Sequence, residues 1–392
     1  MMMTPPLAPL PGMPADPVAA VVHADPYPYY ERLRAGPPLA WPAPLRLWVA
    51  SRAEVVEALL RDHGALRVRP EGEPVPRAIA GSPAGEVFGH LVRMNDGAAH
   101  AAHKPALQRA LAGLDLRAAH AAALDVARQL PERPVAELLF AMPVQAVAQL
   151  LGFAPDTLPR VEAWMRDFVA CLSPLSSAPQ LAQASDAAAA LMARFEALAA
   201  SAPPRDATLL AAVRAEATAG ANMHRALLAN LAGLLSQTCD ATAGLLGNSL
   251  AALAREPVAR GATQTRDGLQ AVVAETARHD APVQNTRRFV AAPVRIAGVP
   301  LAVGDAVLLV LAAANRDPAL NTEPDRFMPH RPARRLLSFG HGAHACPGQA
   351  LACTLAAAGL EALLARGVDV DALRERGWRY RASANARIPV FE

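Results

Sequence analysis

The feature that most constrains this chain is an apolar stretch at about 227–256, part of a helical pattern that runs over roughly 222–255. At about 1.5 Å per residue such a helix is roughly 45–50 Å long, enough to cross a whole domain. The stretch carries Asn230, Ser236, Gln237, Thr238 and Asp240. Polar groups at those positions argue against a bilayer span and for a helix buried in protein. Hydrophobic residues make up 53% of the 392 residues, enough to build a large core around it.

Charge excludes one class of partner. The formal net charge is only +3, and Lys104 is the sole lysine in an arginine-biased chain. Nucleic-acid binding would call for a concentrated basic stripe, which is absent. The four cysteines, Cys171, Cys239, Cys346 and Cys353, form no paired framework and no C-x-x-C, as expected of a reduced, cytoplasmic protein. The N-terminus has no basic region ahead of an apolar run and is broken by prolines, so it reads as neither signal peptide nor membrane anchor.

Along the chain, residues 1–25 are Pro-rich and read as an extended surface segment. A short helix (28–35), a strand (45–50) and a helix (52–62) follow. Residues 68–92 read as a long loop. The stretch 98–200 is mostly helical, broken at Pro131, Pro134, Pro143, Pro155, Pro159 and Pro174, and a Pro-Pro break at 201–206 precedes the central helix. A helix then carries Val272–His279, short strands span 288–311, 315–339 is structureless, and a last helix starts near Cys346. With no internal repeat and no long linker, 1–392 reads as a single domain, mainly α with a small β region.

The C-terminal run Phe339–Gly348, FGHGAHACPG, places one cysteine among three glycines. A thiolate is stabilised at a helix N-terminus, and Pro347 suits a first helical position. Gly340, Gly342 and Gly348 permit positive φ and close approach of a flat partner. An iron porphyrin with an axial thiolate meets that description. An inert buried cysteine, or a zinc site built from His341, His344 and Cys346, are the competing readings.

The pattern F-G-x-G-x-H-x-C-x-G resembles the haem-binding signature of the cytochrome P450 family, with Phe339, Gly340, Gly342, His344, Cys346 and Gly348 all matching. The resemblance implies haem b, Cys346 as the iron ligand, and His344 at a haem propionate. It extends to E-T-A-R, where Glu275 and Arg278 share a helix face, and to Pro324-Asp325-Arg326-Phe327. Glu275, Arg278 and Arg326 would form the family's structural triad. His100 and Lys104, four apart on one helix face, and Arg288 match the remaining propionate contacts, with Arg287 as a register alternative. The implied fold is a helical domain with haem between the long central helix and the cysteine loop.

The central helix departs from the pattern. Where the family has A-G-x-[DE]-T-T, this chain has Gln237, Thr238, Cys239, Asp240, Ala241 and Thr242. The family's acid and first threonine deliver protons that split the O–O bond. Asp240 keeps the acid, but Ala241 cannot relay a proton. Thr238, Thr242, the Gln237 amide or a substrate hydroxyl are the candidate substitutes.

By the family pattern the substrate pocket draws on the loop 70–92, the stretch near 165–195, the central helix and a C-terminal turn. Candidate liners are Leu234, Leu235, Gln237, Ala241, Val283, Asn285, Thr286 and Asn385. The amides at Gln237, Asn285 and Asn385 hint at a substrate with amide or hydroxyl groups. Arg109, Arg331, Arg334 and Arg335 are candidates for a basic face that meets a ferredoxin. The expected protein is a monomeric haem-thiolate monooxygenase acting on a small specialised metabolite, using O2 and electrons from a ferredoxin and ferredoxin reductase. Alternatives are an atypical P450 catalysing coupling, desaturation or peroxide-driven oxidation, and a non-catalytic haem sensor.

Overall fold

The computed structural model describes residues 12–61, 64–201, 208–217 and 221–391. The first 11 residues of the Pro-rich start and nearly all of the Pro-Pro break fall outside them. The chain divides into two compact units: one comprises the chain up to Glu71, Gly244–Cys346 and Val368 onward; the other comprises Gly72–Ala243 and Pro347–Gly367.

The first unit holds every strand. β1 (Leu39–Ala40), β2 (Trp48–Ala50), β3 (Leu66–Arg67), β4 (Thr286–Val290) and β7 (Ala306–Leu309) form one sheet in the order β1-β2-β7-β4-β3. β5 (Val294–Ile296) pairs with β6 (Val299–Leu301), and β8 (Trp378–Tyr380) with β9 (Pro389–Phe391). β4 runs antiparallel to β7, with Arg288 opposite Val307. Strand periodicity of two leaves Arg288 buried and Arg287 exposed. Residues 19–22 are not extended: they form a 3-10 turn with Ala20 and Val21 buried. Arg387, fully buried, ties this segment down by donating to the carbonyls of Val21 (3.0 Å) and His23 (2.6 Å) and to Asp280 Oδ1 (2.8 Å).

The segment 315–339 has no regular structure after the short helix Leu311–Asn315, yet it is firmly held. Asn315 accepts from the Leu337 amide (2.6 Å) and donates to Ser338 Oγ (2.6 Å). Asn321 donates to the carbonyls of Asn315 and Arg335. Side chains here satisfy backbone groups that no ladder reaches.

The second unit is helical. Its helices include Gly97–Ala112, Leu116–Gln129, Val135–Leu151, Ala178–Ser201 and Gln349–Ala365. Three sequence expectations fail here. Residues 83–90 are a helix, not loop: Ser82 Oγ caps it by accepting from the Gly85 amide (3.1 Å), and Pro83 opens it. The helix Val135–Leu151 also runs straight through Pro143. That proline costs a hydrogen bond, but burial of nearly every residue around it outweighs the loss. The last helix starts at Gln349 with Gly348 as its cap, so Pro347 precedes the helix and does not open it. Residues 342–365 are long and apolar enough to cross a bilayer, but 56% of that window is buried inside the protein. Within its unit the helix packs on Leu116–Gln129 and Val135–Leu151, as a core helix does.

The central helix forms as Ala221–Gln237 and Ala243–Arg255, joined by a π-helical turn at Thr238–Thr242. A π turn widens the helix by one residue and often marks a functional site.

Candidate functional site

The cysteine loop is built from positive-φ glycines. Gly340 (φ +71°) and Gly342 (φ +68°) turn the chain so that the Cys346 amide donates to Phe339 O at 2.7 Å and the Ala345 amide to Gly342 O at 3.0 Å. A Cβ at Gly340 would sit 3.2 Å from His344 O, so the loop closes tightly on itself. Cys346 is half-buried and forms no disulfide. No group of three metal-ligating side chains occurs among the described residues, which leaves the zinc reading without support.

Behind the loop, Glu275 is wholly buried and collects three arginines. Arg278 Nη2 donates to Oε1 at 2.6 Å, Arg331 Nε to Oε1 at 3.0 Å, and Arg334 Nε to Oε2 at 2.9 Å. The Met328 amide adds a fourth donor at 3.1 Å. Burial works to raise the Glu275 carboxyl, but Arg278, the Met328 amide and Arg331 outweigh it and hold the group below the usual carboxylate range.

This corrects the triad. Arg326 is exposed, and its side chain pairs with Glu323 at 3.3 Å. It joins the cluster only through its carbonyl, which accepts from Arg331 at 2.6 Å and Arg278 at 3.2 Å. Arg331, and with it Arg334, occupies the place that Arg326 was expected to fill. The same finding removes Arg331 from any docking face, since it is buried. Arg335 is exposed beside Glu57, and Arg109 pairs with Glu216.

The expected propionate residues are buried in their own units. Arg288 is 5% exposed, and His100 and Lys104 are 8% and 6% exposed on one face of the helix Gly97–Ala112.

On the central helix, Leu234, Gln237, Asp240 and Ala241 are partly accessible. Thr242 is 2% exposed, and Thr238 donates its hydroxyl to Leu235 O at 2.6 Å. Both threonines therefore lie on the buried side of the π turn. Leu235 is fully buried in the core. The amides thought to hint at substrate are spent on backbone: Gln237 Nε2 donates to Gly233 O (2.9 Å) and Asn285 Nδ2 to Ala384 O (3.0 Å). Asn385 is exposed, with its carbonyl accepting from the Gln284 amide at 2.8 Å. Val283 and Thr286 are half-buried, and Val283 bridges to Ala386.

Comparison with known proteins decides the family. The Cytochrome P450 family model matches residues 261–366. Over 347 residues, 84% of this chain and 85% of the relative, the sequence is 29% identical to a putative cytochrome P450 133B1 of Xylella fastidiosa. The chain belongs to the cytochrome P450 family. Over a shorter span, 37% of the P450 chain and 34% of the relative, it is 37% identical to the 20-oxo-5-O-mycaminosyltylactone 23-monooxygenase of Streptomyces fradiae. Among solved structures it resembles CalO2 (TM-score 0.80, 26% identity, 96% of this chain and 97% of that one). It also shares the fold of P450BioI, crystallised with an acyl carrier protein carrying hexadec-9Z-enoic acid (TM-score 0.77, 21% identity, 93% and 96% covered). The P450 is thus a bacterial-type monooxygenase with haem b as cofactor. Its residues fit that group: a thiol stands on a glycine-tight loop, half-buried and outside any disulfide.

Arg331 and Arg334 were missed as partners of Glu275. Their spacing from Glu275 carries no periodic signal; only the folding of 315–339 brings them in.

Proposed function

We propose that this P450 oxidises a small specialised metabolite in the cytoplasm, with O2 and with electrons from a separate ferredoxin and ferredoxin reductase. The observation that carries the reading is the Phe339–Cys346 turn, closed by the 2.7 Å bond from the Cys346 amide. Cys346 would ligate the iron, and His344, Arg288, His100 and Lys104 would receive the propionates. When bound, thiolate-ligated haem supplies O2 activation with O–O cleavage.

The chain's own residues do the rest. Glu275 with Arg278, Arg331 and Arg334 holds the strand-free segment that leads into the cysteine loop. Asp240, partly accessible on the π turn, is the proton-handling group, working through water in place of a threonine. Beside the loop, Arg61 donates to His341 Nε2 at 2.8 Å, and both Arg61 and Arg335 reach Glu57. This exposed, net-positive cluster suits an acidic ferredoxin.

One observation favours a second reading. The accessible stripe of the central helix carries no hydroxyl, so peroxide-driven oxidation, coupling or desaturation, which need no ordinary relay, fit the same residues.

The test is spectroscopic. Reduced wild-type protein with carbon monoxide should give the red-shifted Soret band of thiolate ligation, and Cys346→Ser should lose it. An unchanged spectrum in Cys346→Ser would end the haem-thiolate reading. Haem binding with no turnover by ferredoxin, reductase and NAD(P)H across a metabolite library would identify a sensor.

A further inference from the structure

Arg93 belongs to none of the sites above. It sits on the 3-10 turn Val92–Met94, which is seated rigidly on the central helix. The Val92 amide donates to Asn230 Oδ1 at 2.8 Å, and Asn230 Nδ2 donates to His90 O at 2.9 Å. Asn95 Nδ2 closes the turn onto the carbonyls of Gly89 and Leu91. Leu91 lies so close to the helix that a Cβ at Gly233 would be 2.8 Å from its Cδ2. Asn230, Gly233 and Gln237 follow at helical spacing, so the turn is fixed to the face that runs on to Asp240.

The Arg93 side chain is partly accessible, yet its Nε is buried without an acceptor, and it makes no ion pair among the described residues. Burial pushes its pKa down, and the ionisable groups that act on it are Cys171 and Asp240. The Cys171 thiol is itself pushed up to about 12 by burial, so it is neutral. Asp240 is then the one anion that acts on Arg93 among the described residues. A buried guanidinium N–H left in this state is costly, and an anion from outside the chain relieves it.

We propose that Arg93 anchors a carboxylate on this P450's substrate, taken by the guanidinium fork at the end of the Val92–Met94 turn. The fork matches a planar carboxylate in bidentate fashion. Asp240 nearby disfavours a second negative charge, so a monocarboxylic acid fits better than a dicarboxylate or phosphate. This deepens the monooxygenase reading and rests on it.

The test titrates oxidised, haem-loaded protein with dodecanoate and 3-phenylpropanoate, each against its primary amide, reading the Soret spin shift. Wild type should bind the acids about tenfold or more tighter than the amides, the scale of one charge-assisted hydrogen bond. Arg93→Met should erase that preference, and Arg93→Lys should keep part of it. Without ligand, Arg93→Met should melt no lower than wild type, because it removes an unsatisfied charge. Acids and amides binding alike to wild type, no response to any acid, or a preference that persists in Arg93→Met would overturn the proposal. Faster haem loss to apomyoglobin in Arg93→Met, with selectivity intact, would mark Arg93 as a propionate partner and overturn it as well. The reduced carbon monoxide band of the wild type reports separately on the haem-thiolate reading.

Discussion

Arg331 donates from Nε to Glu275 Oε1 at 3.0 Å, and both side chains are buried. With Arg278 and Arg334 on the same carboxylate, this relationship fixes the irregular segment 315–339 to the helix Arg266–His279. It also separates Arg331 from Arg326, two arginines five residues apart that sequence cannot rank.

Replacing Glu275 with Gln should therefore destabilise the holoenzyme by about 3–5 kcal/mol, the cost of leaving buried charges without their partner. Arg331→Ala should approach that loss, while Arg326→Ala should stay within about 0.5 kcal/mol as a surface change. Urea unfolding followed by circular dichroism measures all three. An Arg326→Ala loss equal to that of Arg331→Ala would contradict the assignment.

Gly340→Ala should cost about 1–2 kcal/mol, since an L side chain at φ +71° is strained and its Cβ would press on His344 O. The loss should be visible as a lower melting temperature and as weaker haem retention on a desalting column. Gly298→Ala also takes a positive φ (+81°), but with no atom near its Cβ, so it should retain haem fully and separate loop closure from general backbone strain.

On the central helix, Asp240→Asn should lower turnover by about 100-fold, the lower end for loss of an acid–base group. Thr242→Ala should leave the ratio of product to NAD(P)H consumed unchanged, because that residue is 2% exposed. A collapse of this ratio in Thr242→Ala would return the relay to the threonine.

Stability should also depend on pH through His279. Burial, then the positive charge of Arg316, lowers its pKa from 6.5 to about 3. The unfolded chain therefore binds a proton that the native state refuses, and stability falls as pH drops from about 6.5 toward 3. Asp280, held below its ordinary range by Arg387 and Tyr27 against the effect of burial, adds to the loss only at the acidic end. The urea midpoint of the wild type should decline across pH 6.5 to 5, and His279→Gln should flatten that decline.

Much of the site was legible in sequence because its chemistry is local. The glycines, histidine and cysteine of 339–348 lie within ten residues, and the turn they form depends on φ angles that the residue types themselves permit. Glu275 and Arg278 are one helical turn apart, so their pairing followed from spacing. Strand alternation buries Arg288 and exposes its neighbour Arg287. The helix 83–90 was missed despite the Ser82-Pro83 cap, since the surrounding prolines and glycines outweighed that signal.

The sequence alone determined the thiol-bearing loop, the long central helix and the absence of a threonine at 241, because each is a property of neighbouring residues. Tertiary structure decided which arginines neutralise Glu275, which side of the π turn faces the core, and that the Arg93 Nε stands buried without an acceptor. Those outcomes depend on segments far apart in the chain meeting in a low-dielectric interior, where a partner gained or lost carries a cost that residue order does not encode.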